Sequence, residues 1–276
     1  MWMMLGSNKK TACISIGRSL CCWLAMVFCL CSVQGTANAQ GRVVPLLLGE
    51  SLDTHGKQLP VDKNTEQVLR YFERETGLRF APQLLPWKRA QMMAGNGEGV
   101  IFSLSKTPER LKSFQFTAPV ATETVWAITY GSKRTGFHSL EDLRGKVVSV
   151  GRGFSHGMAF EKARDSVFQV QQDSASELAR FKKLVNRRSD LMLWTVWQSP
   201  TAEQLETYIN QTLVPGFQDA ELEGKYFYVS ARPLFYDSMH FAVAIGRYQE
   251  EFNKLNAAIR RGNQKGDLPK LIARLF

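Results

Sequence analysis

Past residue 31 the chain has no cysteine. All five, Cys13, Cys21, Cys22, Cys29 and Cys31, sit near the N-terminus. The rest can form no disulfide and offers no thiol nucleophile or cysteine metal site, so packing alone must stabilise it. Histidine is scarce: His55, His138, His156 and His240 stand far apart. No Ser-His-Asp set, His-Glu metal motif or evident carboxylate pair can be assembled from the order of residues, so neither a catalytic residue nor a metal or cofactor is expected. Asp and Glu are absent from the first 39 residues. Beyond them no apolar run approaches the roughly 20 residues that a membrane span needs. There is no internal repeat, low-complexity tract or long flexible linker.

The N-terminal stretch has its own order. Lys9, Lys10 and Arg18 precede an apolar run from Leu20 to Val33, which ends at Ala37-Asn38-Ala39. Basic, apolar, then small-x-small is the pattern of a secretory signal cleaved after Ala39, leaving Gln40 first. An uncleaved anchor is the alternative, for which the run is short. Neither Cys29 nor Cys31 follows the small residues of a lipoprotein signal. The formal charge is +10; losing three basic and no acidic residues with the signal leaves +7. The basic residues are spread along an exported chain, so nucleic acid is not an expected partner, and a modest bias toward anionic ligands is the safer reading.

Hydrophobic patterning then alternates. Val43 to Leu48 reads as a buried strand. Residues 64–77 read as a helix with Val68, Leu69 and Phe72 on one face and Gly77 as its stop. A strand at Leu78 to Leu85, a helix at Trp87 to Ala94 and a strand at Val100 to Ser103 follow. Thr107-Pro108-Glu109-Arg110 reads as a helix start: a cap, a proline at the first position, and an acid at the positive end. Glu123 to Tyr130 is a further strand. The alternation restarts with a strand at Lys146 to Val150, a glycine-rich turn at 151–155 and a helix through Arg164. A strand at Val167 to Val170, a helix at 174–187, a strand at Leu191 to Trp194 and a helix at 201–211 come next. A strand near Met239 to Ile245 and helices at 248–262 and 268–275 close the chain. This grammar, twice repeated, predicts an α/β protein of two lobes, each a mostly parallel sheet flanked by helices. The expected boundaries are 1–39 for the signal, 42–128 plus 236–276 for lobe 1 and 132–230 for lobe 2. Hinge strands are expected near 123–131 and 231–241.

Three stretches carry a resemblance. Glu98-Gly99-Val100-Ile101-Phe102-Ser103-Leu104-Ser105-Lys106-Thr107-Pro108-Glu109-Arg110, running on to Phe116-Thr117-Ala118-Pro119, resembles the signature of family 3 periplasmic solute-binding proteins, the polar amino-acid binders of ABC importers. Leu140-Glu141-Asp142-Leu143-Arg144-Gly145-Lys146-Val147-Val148 is similar to that family's opening of the second lobe, with Gly153-Phe154-Ser155 after it. Pro86-Trp87-Lys88-Arg89-Ala90 resembles a common variant. The resemblance implies the type II two-lobed periplasmic binding protein fold and capture of a small polar solute by lobe closure. It also implies a periplasmic location and, as partner, the membrane permease of an ABC importer or a receptor. A monomer is expected.

The chemistry supports a ligand site independently. Arginine offers a planar, permanently charged pair of N–H groups suited to a carboxylate. Arg110, with Ser103 and Ser105 on the loop before it, is placed to bind one; the alternative is a surface ion pair. Ser155 reads as a ligand contact from lobe 2 or as a helix cap, and Trp87 as a cleft wall or a core residue. The resemblance implies an acid in lobe 2 for the ligand's ammonium group, but that position falls near Thr195, which carries no charge. Rival readings are a sensory or accessory binding protein and an enzyme on the same fold.

Overall fold

The computed structural model describes residues 42–274, except 54, 135, 174, 175, 198 and 199. The expected signal and the start at Gln40 lie outside the described residues.

The main strands and helices, in chain order, are β1 (Val43–Gly49), α1 (Lys63–Thr76), β2 (Arg79–Leu85), α2 (Trp87–Gly95), β3 (Val100–Leu104), β4 (Phe114–Phe116) and β5 (Ala121–Tyr130). Then come β6 (Val147–Gly151), α3 (Gly157–Ala163), β7 (Gln169–Asp173), α4 (Glu177–Val185) and β8 (Leu191–Val196). The last are α5 (Ala202–Tyr208), β9 (Phe227–Val229), β10 (Phe235–Ala244), α6 (Gln249–Lys265) and α7 (Asp267–Arg274). The strands follow the path β2-β1-β3-β10-β5-β8-β6-β7, with β4 on β10 and β9 on β5.

That path divides at β10. Its second half pairs antiparallel with β3 and β4, completing a first sheet around parallel β2-β1-β3. Its first half pairs antiparallel with β5, which belongs with β8, β9 and the parallel trio β7-β6-β8. Each sheet is therefore mixed: three parallel strands, as the alternation predicts, edged by antiparallel ones. Within the second sheet β5 is paired with β10 from Ala121 onward.

Period-2 side-chain placement lets each strand feed two cores. Leu46 and Leu48 pack with Val68, Phe72, Phe241 and Leu255 between the first sheet and α1 and α6. Leu47, between them, faces Ala90 and Ala94 of α2. In the second sheet Trp126 and Ile128 meet Phe181 and Leu184 of α4, while Val125 and Ala127 meet Phe160 of α3. Sheets covered on both faces are the usual home of parallel strands. Local chemistry sets the helix ends: Asp62 caps α1 by accepting from the N–H groups of Asn64 and Thr65, and Gly77 closes it in the left-handed conformation at φ 69°.

One expected helix does not form. After Thr107-Pro108-Glu109 the backbone makes only a 3-10 turn, Arg110–Lys112, before β4. Thr107 does cap it, its hydroxyl accepting from the Arg110 N–H. Phe114, Gln115 and Phe116 pair with Ala244, Val243 and Ala242, and this distant pairing overrides the local helical signal. Two three-residue strands, β4 and β9, were too short to be read from periodicity.

Candidate ligand-binding site

The loops at the carboxyl ends of β1, β2, β3 and β6 converge, the position where α/β folds place ligands. Between them lies a cavity of about 450 Å3. The first sheet contributes Glu50, Ser51, Leu52, Trp87 and Lys88, and the second contributes Arg152, Phe154, His156, Glu177, Arg180, Trp194 and Thr195. A second cavity of about 430 Å3 shares Ser51, Leu52, Trp87, Phe154 and Glu177 with it and reaches Ser103, Phe102 and Trp197. The volumes are those of small-molecule sites.

The six residues singled out in the sequence fall into two groups. Trp87, Ser103 and Thr195 line the cavities. Trp87 faces Phe154 across the opening, ring centroids 5.9 Å apart. Ser103 has left-handed backbone at φ 65° and falls where the β3–β10 register shifts, between the Phe102–Phe241 and Leu104–His240 pairs. It is therefore the extra residue of a β-bulge, a device that re-aims side chains beside binding sites.

Ser105, Arg110 and Ser155 form a clasp between the sheets instead. Arg110 donates from Nη1 to the Ser105 carbonyl at 3.0 Å, and from Nη2 to Gln91 Oε1 at 3.1 Å and the Gly153 carbonyl at 3.0 Å. Gln91 Nε2 donates to the same Gly153 carbonyl at 2.8 Å. The Ser105 hydroxyl donates to the Ser155 carbonyl at 3.0 Å. Ser155 is buried, and its own hydroxyl has no partner among the described residues. Burial lowers the Arg110 pKa to about 10, against the opposing fields of Glu161 and Asp237; it stays charged at neutral pH.

His156 sits at the floor of this interface. Burial first, then the fields of Arg180 and Arg110, push it down to about 3, so its ring is neutral; Nδ1 lies 3.4 Å from Thr195 Oγ1. Nearby, the β5–β10 register sets Glu123 opposite Asp237. Burial, then the Asp237 charge, raises Glu123 to about 8, against a hydrogen bond from Trp197. Burial also raises Asp237, opposed in part by the Ser105 hydroxyl, then by the Ser238 N–H and Arg110.

Sequence reasoning missed Glu123, Asp237, Glu177, Arg180 and the Phe154 wall. The glycine-rich turn was the available signal for Phe154; the two carboxylates on β5 and β10 meet only through register. Just beyond that turn, the first residue of α3 also has a strict steric demand. Gly157 is at φ 86°, and a Cβ there would run into the Asp237 carboxylate. Gly157→Ala is expected to destabilise by about 2 kcal/mol or more, since left-handed backbone alone costs a non-glycine residue about 1–2. Thermal unfolding should show a fall of about 4–8 °C.

No family model matches the sequence, and no curated protein matches it. Solved structures do. An amino acid ABC transporter substrate-binding protein, AbpA, from Streptococcus pneumoniae, bound to L-arginine, is 17% identical with a TM-score of 0.60, covering 84% of this chain and 94% of that one. This chain has the fold of the two-lobed solute-binding proteins. The same fold is found in the GluR0 ligand-binding core from Nostoc punctiforme in complex with L-glutamate, 15% identical with a TM-score of 0.59 over 84% of this chain and 99% of that one. It is found too in the ancestral amino acid-binding protein AncCDT-1, a precursor of cyclohexadienyl dehydratase, 16% identical with a TM-score of 0.59 over 85% of this chain and 95% of that one. At such identities the likeness is one of fold.

Proposed function

We propose that the protein captures a small polar, carboxylate-bearing solute, an amino acid or a derivative, in the periplasm and delivers it to the permease of an ABC importer. It acts by binding and not by catalysis. The observation that carries this reading is the cavity itself, walled by strand-end loops of both sheets and closed by a clasp of charged and neutral hydrogen bonds. A ligand touching both lobes stabilises the closed arrangement by its differential affinity for it. We take the hinge of this motion to be the two strand segments near 123–131 and 231–241, where β5 and β10 pair with each other. The basic, apolar, small-residue order of the first 39 residues supports export. The likeness to a GluR0 ligand-binding core favours a second reading, capture on behalf of a membrane receptor; solute uptake by cells with and without this gene separates the two.

A thermal-shift screen of amino acids, dipeptides, polyamines and organic acids tests capture directly. At 100 times its Kd a true ligand adds about 2.7 kcal/mol of stability, a rise of roughly 5–10 °C. It should be recovered chemically unchanged from the incubation by mass spectrometry. A screen in which no solute shifts the transition, or in which the bound solute is converted, overturns the proposal.

A further inference from the structure

Trp194 and Trp197 are shared walls. Trp194 lines the first of the two cavities described above and Trp197 the second, and both also line a third cavity of about 1130 Å3. That space is more than twice as large as either of the others. It is also walled by α5, which packs on the second sheet through Leu205, and by α6 and α7, which pack on the first through Leu255 and Leu268. The two indoles are braced from behind: Trp194 lies against Phe181 and Trp197 stands edge-on to Phe102, with ring centroids 6.0 Å apart in each pair.

The chemistry of this wall differs from that of the solute site. The first cavity gathers five charged side chains, Glu50, Lys88, Arg152, Glu177 and Arg180. Although 22% of the chain is charged, none of the described residues lining the third cavity is Asp, Glu, Lys, Arg or His. A charged molecule entering it would shed water and find no counter-charge. A neutral one meets the rings of Trp194, Trp197 and Tyr208 and the side chain of Ile272. The amides on offer are uncharged: Gln204 from α5 and Asn263 from α6. Gln204 Oε1 accepts from the Thr201 N–H, whereas its Nε2 and the Asn263 side chain make no hydrogen bond among the described residues. Each amide therefore keeps polar atoms for a ligand. Apolar surface gathered into one hollow with a few convergent polar groups marks a binding site, where the same residues scattered singly would not.

We propose that this cavity is a second binding site, for a neutral aromatic molecule carrying an uncharged polar group for Gln204 or Asn263. The site does not depend on solute capture. A molecule held there touches helices of both sheets and stabilises the folded arrangement in which they stand together.

Fluorescence titration of the intact exported chain with N-phenylnaphthylamine, a neutral probe of two aromatic units joined by an N–H, provides the test. Anilinonaphthalene sulfonate, the same rings with a negative charge, is the comparator. The parent should saturate with one neutral probe per chain, and the sulfonate should bind this site at least tenfold more weakly. Ala273 lines the cavity at an exposed position of α7. Ala273→Trp fills the space there and should weaken the neutral probe at least tenfold, with the unfolding temperature unchanged. Tyr208→Ala removes one ring and should weaken it about threefold or more. Trp87 lines the other two cavities and not this one, so Trp87→Ala should leave the probe's affinity as it was. The proposal is overturned by a parent with no saturable site, by a site that survives Ala273→Trp, by one lost with Trp87→Ala, or by a sulfonate that binds as tightly as the neutral probe and is equally lost in Ala273→Trp. Solute capture is judged by its own thermal-shift screen and is untouched by each of these results.

Discussion

Arg110→Ala is expected to weaken every ligand of the cavity about 10- to 100-fold, whatever charge the ligand carries. Arg110 Nη2 reaches across the cleft to the Gly153 carbonyl, and its other donors fix the Ser105 loop and Gln91, which itself bonds Gly153. A hydrogen bond from a charged donor contributes about 1.5–3 kcal/mol. If that bond exists only when the lobes are closed, its loss lowers the population of the binding-competent state, and apparent affinity falls in proportion, by about tenfold per 1.4 kcal/mol. Arg110→Lys should restore only part, since a single ammonium cannot reach the Ser105 carbonyl, Gln91 and Gly153 in one plane. Calorimetry with a carboxylate ligand and its amide decides the role. Equal losses for both identify a clasp. A loss confined to the carboxylate returns Arg110 to the anchor role that the sequence assigned it, and no loss for either removes it from binding altogether.

Glu123→Gln should make the protein more stable at pH 9 and leave it nearly unchanged at pH 5. In the unfolded chain this carboxyl titrates near 4.5, whereas in the folded protein burial and the facing Asp237 raise it to about 8. Between those values the native state holds a proton that the unfolded chain has released, so stability falls as pH rises from 4.5 and levels off above 8. Asp237, raised in the same sense, adds to the slope. Glu123 is only partly buried, and water screens the pair, so the loss is about 2–3 kcal/mol and not the larger figure that the full shift would give. A glutamine has no proton to lose and keeps an oxygen for the Trp197 hydrogen bond. Urea midpoints of parent and variant at pH 5 and pH 9 provide the comparison. Curves that run parallel over that range would show that Glu123 does not carry the titration.

The strands and helices were readable wherever the pattern is local and long enough. Val43 to Leu48, the Val68–Leu69–Phe72 face and the Phe252–Leu255–Ile259 stripe each declare their element within a few residues. Phe114–Phe116 and Phe227–Val229 do not, because three residues show no period and their pairing partners are distant in the chain. The helical signal at Thr107 to Arg110 is real but loses to β4. In the site, Trp87, Ser103 and Thr195 were reachable because strand ends and the turns after them are marked by glycine, proline and serine. Glu177 and Arg180 were not. On an amphipathic helix whose Leu178, Phe181 and Leu184 face the core, charged residues at neighbouring positions read as a solvated surface, and only the packing of α4 beside β6 and β8 turns that surface toward the cavity. Glu123 and Asp237 became a pair only through a register that no local signal announces.

Strand β10 also governs the order in which the molecule can be built. The first sheet has β1, β2 and β3 by Leu104, yet β3 and β4 each need the second half of β10, which arrives only at His240–Ala244. A chain appearing from its N-terminus must hold that sheet open from Leu104 until His240 is made. The parallel trio β6, β7 and β8, with α3 and α4 between its strands, has no such wait. Contacts of long sequence separation form slowly, because the loop entropy is lost before they repay it. The first sheet is therefore the last to close, and an unfinished edge at β3 stays open to other pairings until His240–Ala244 appear.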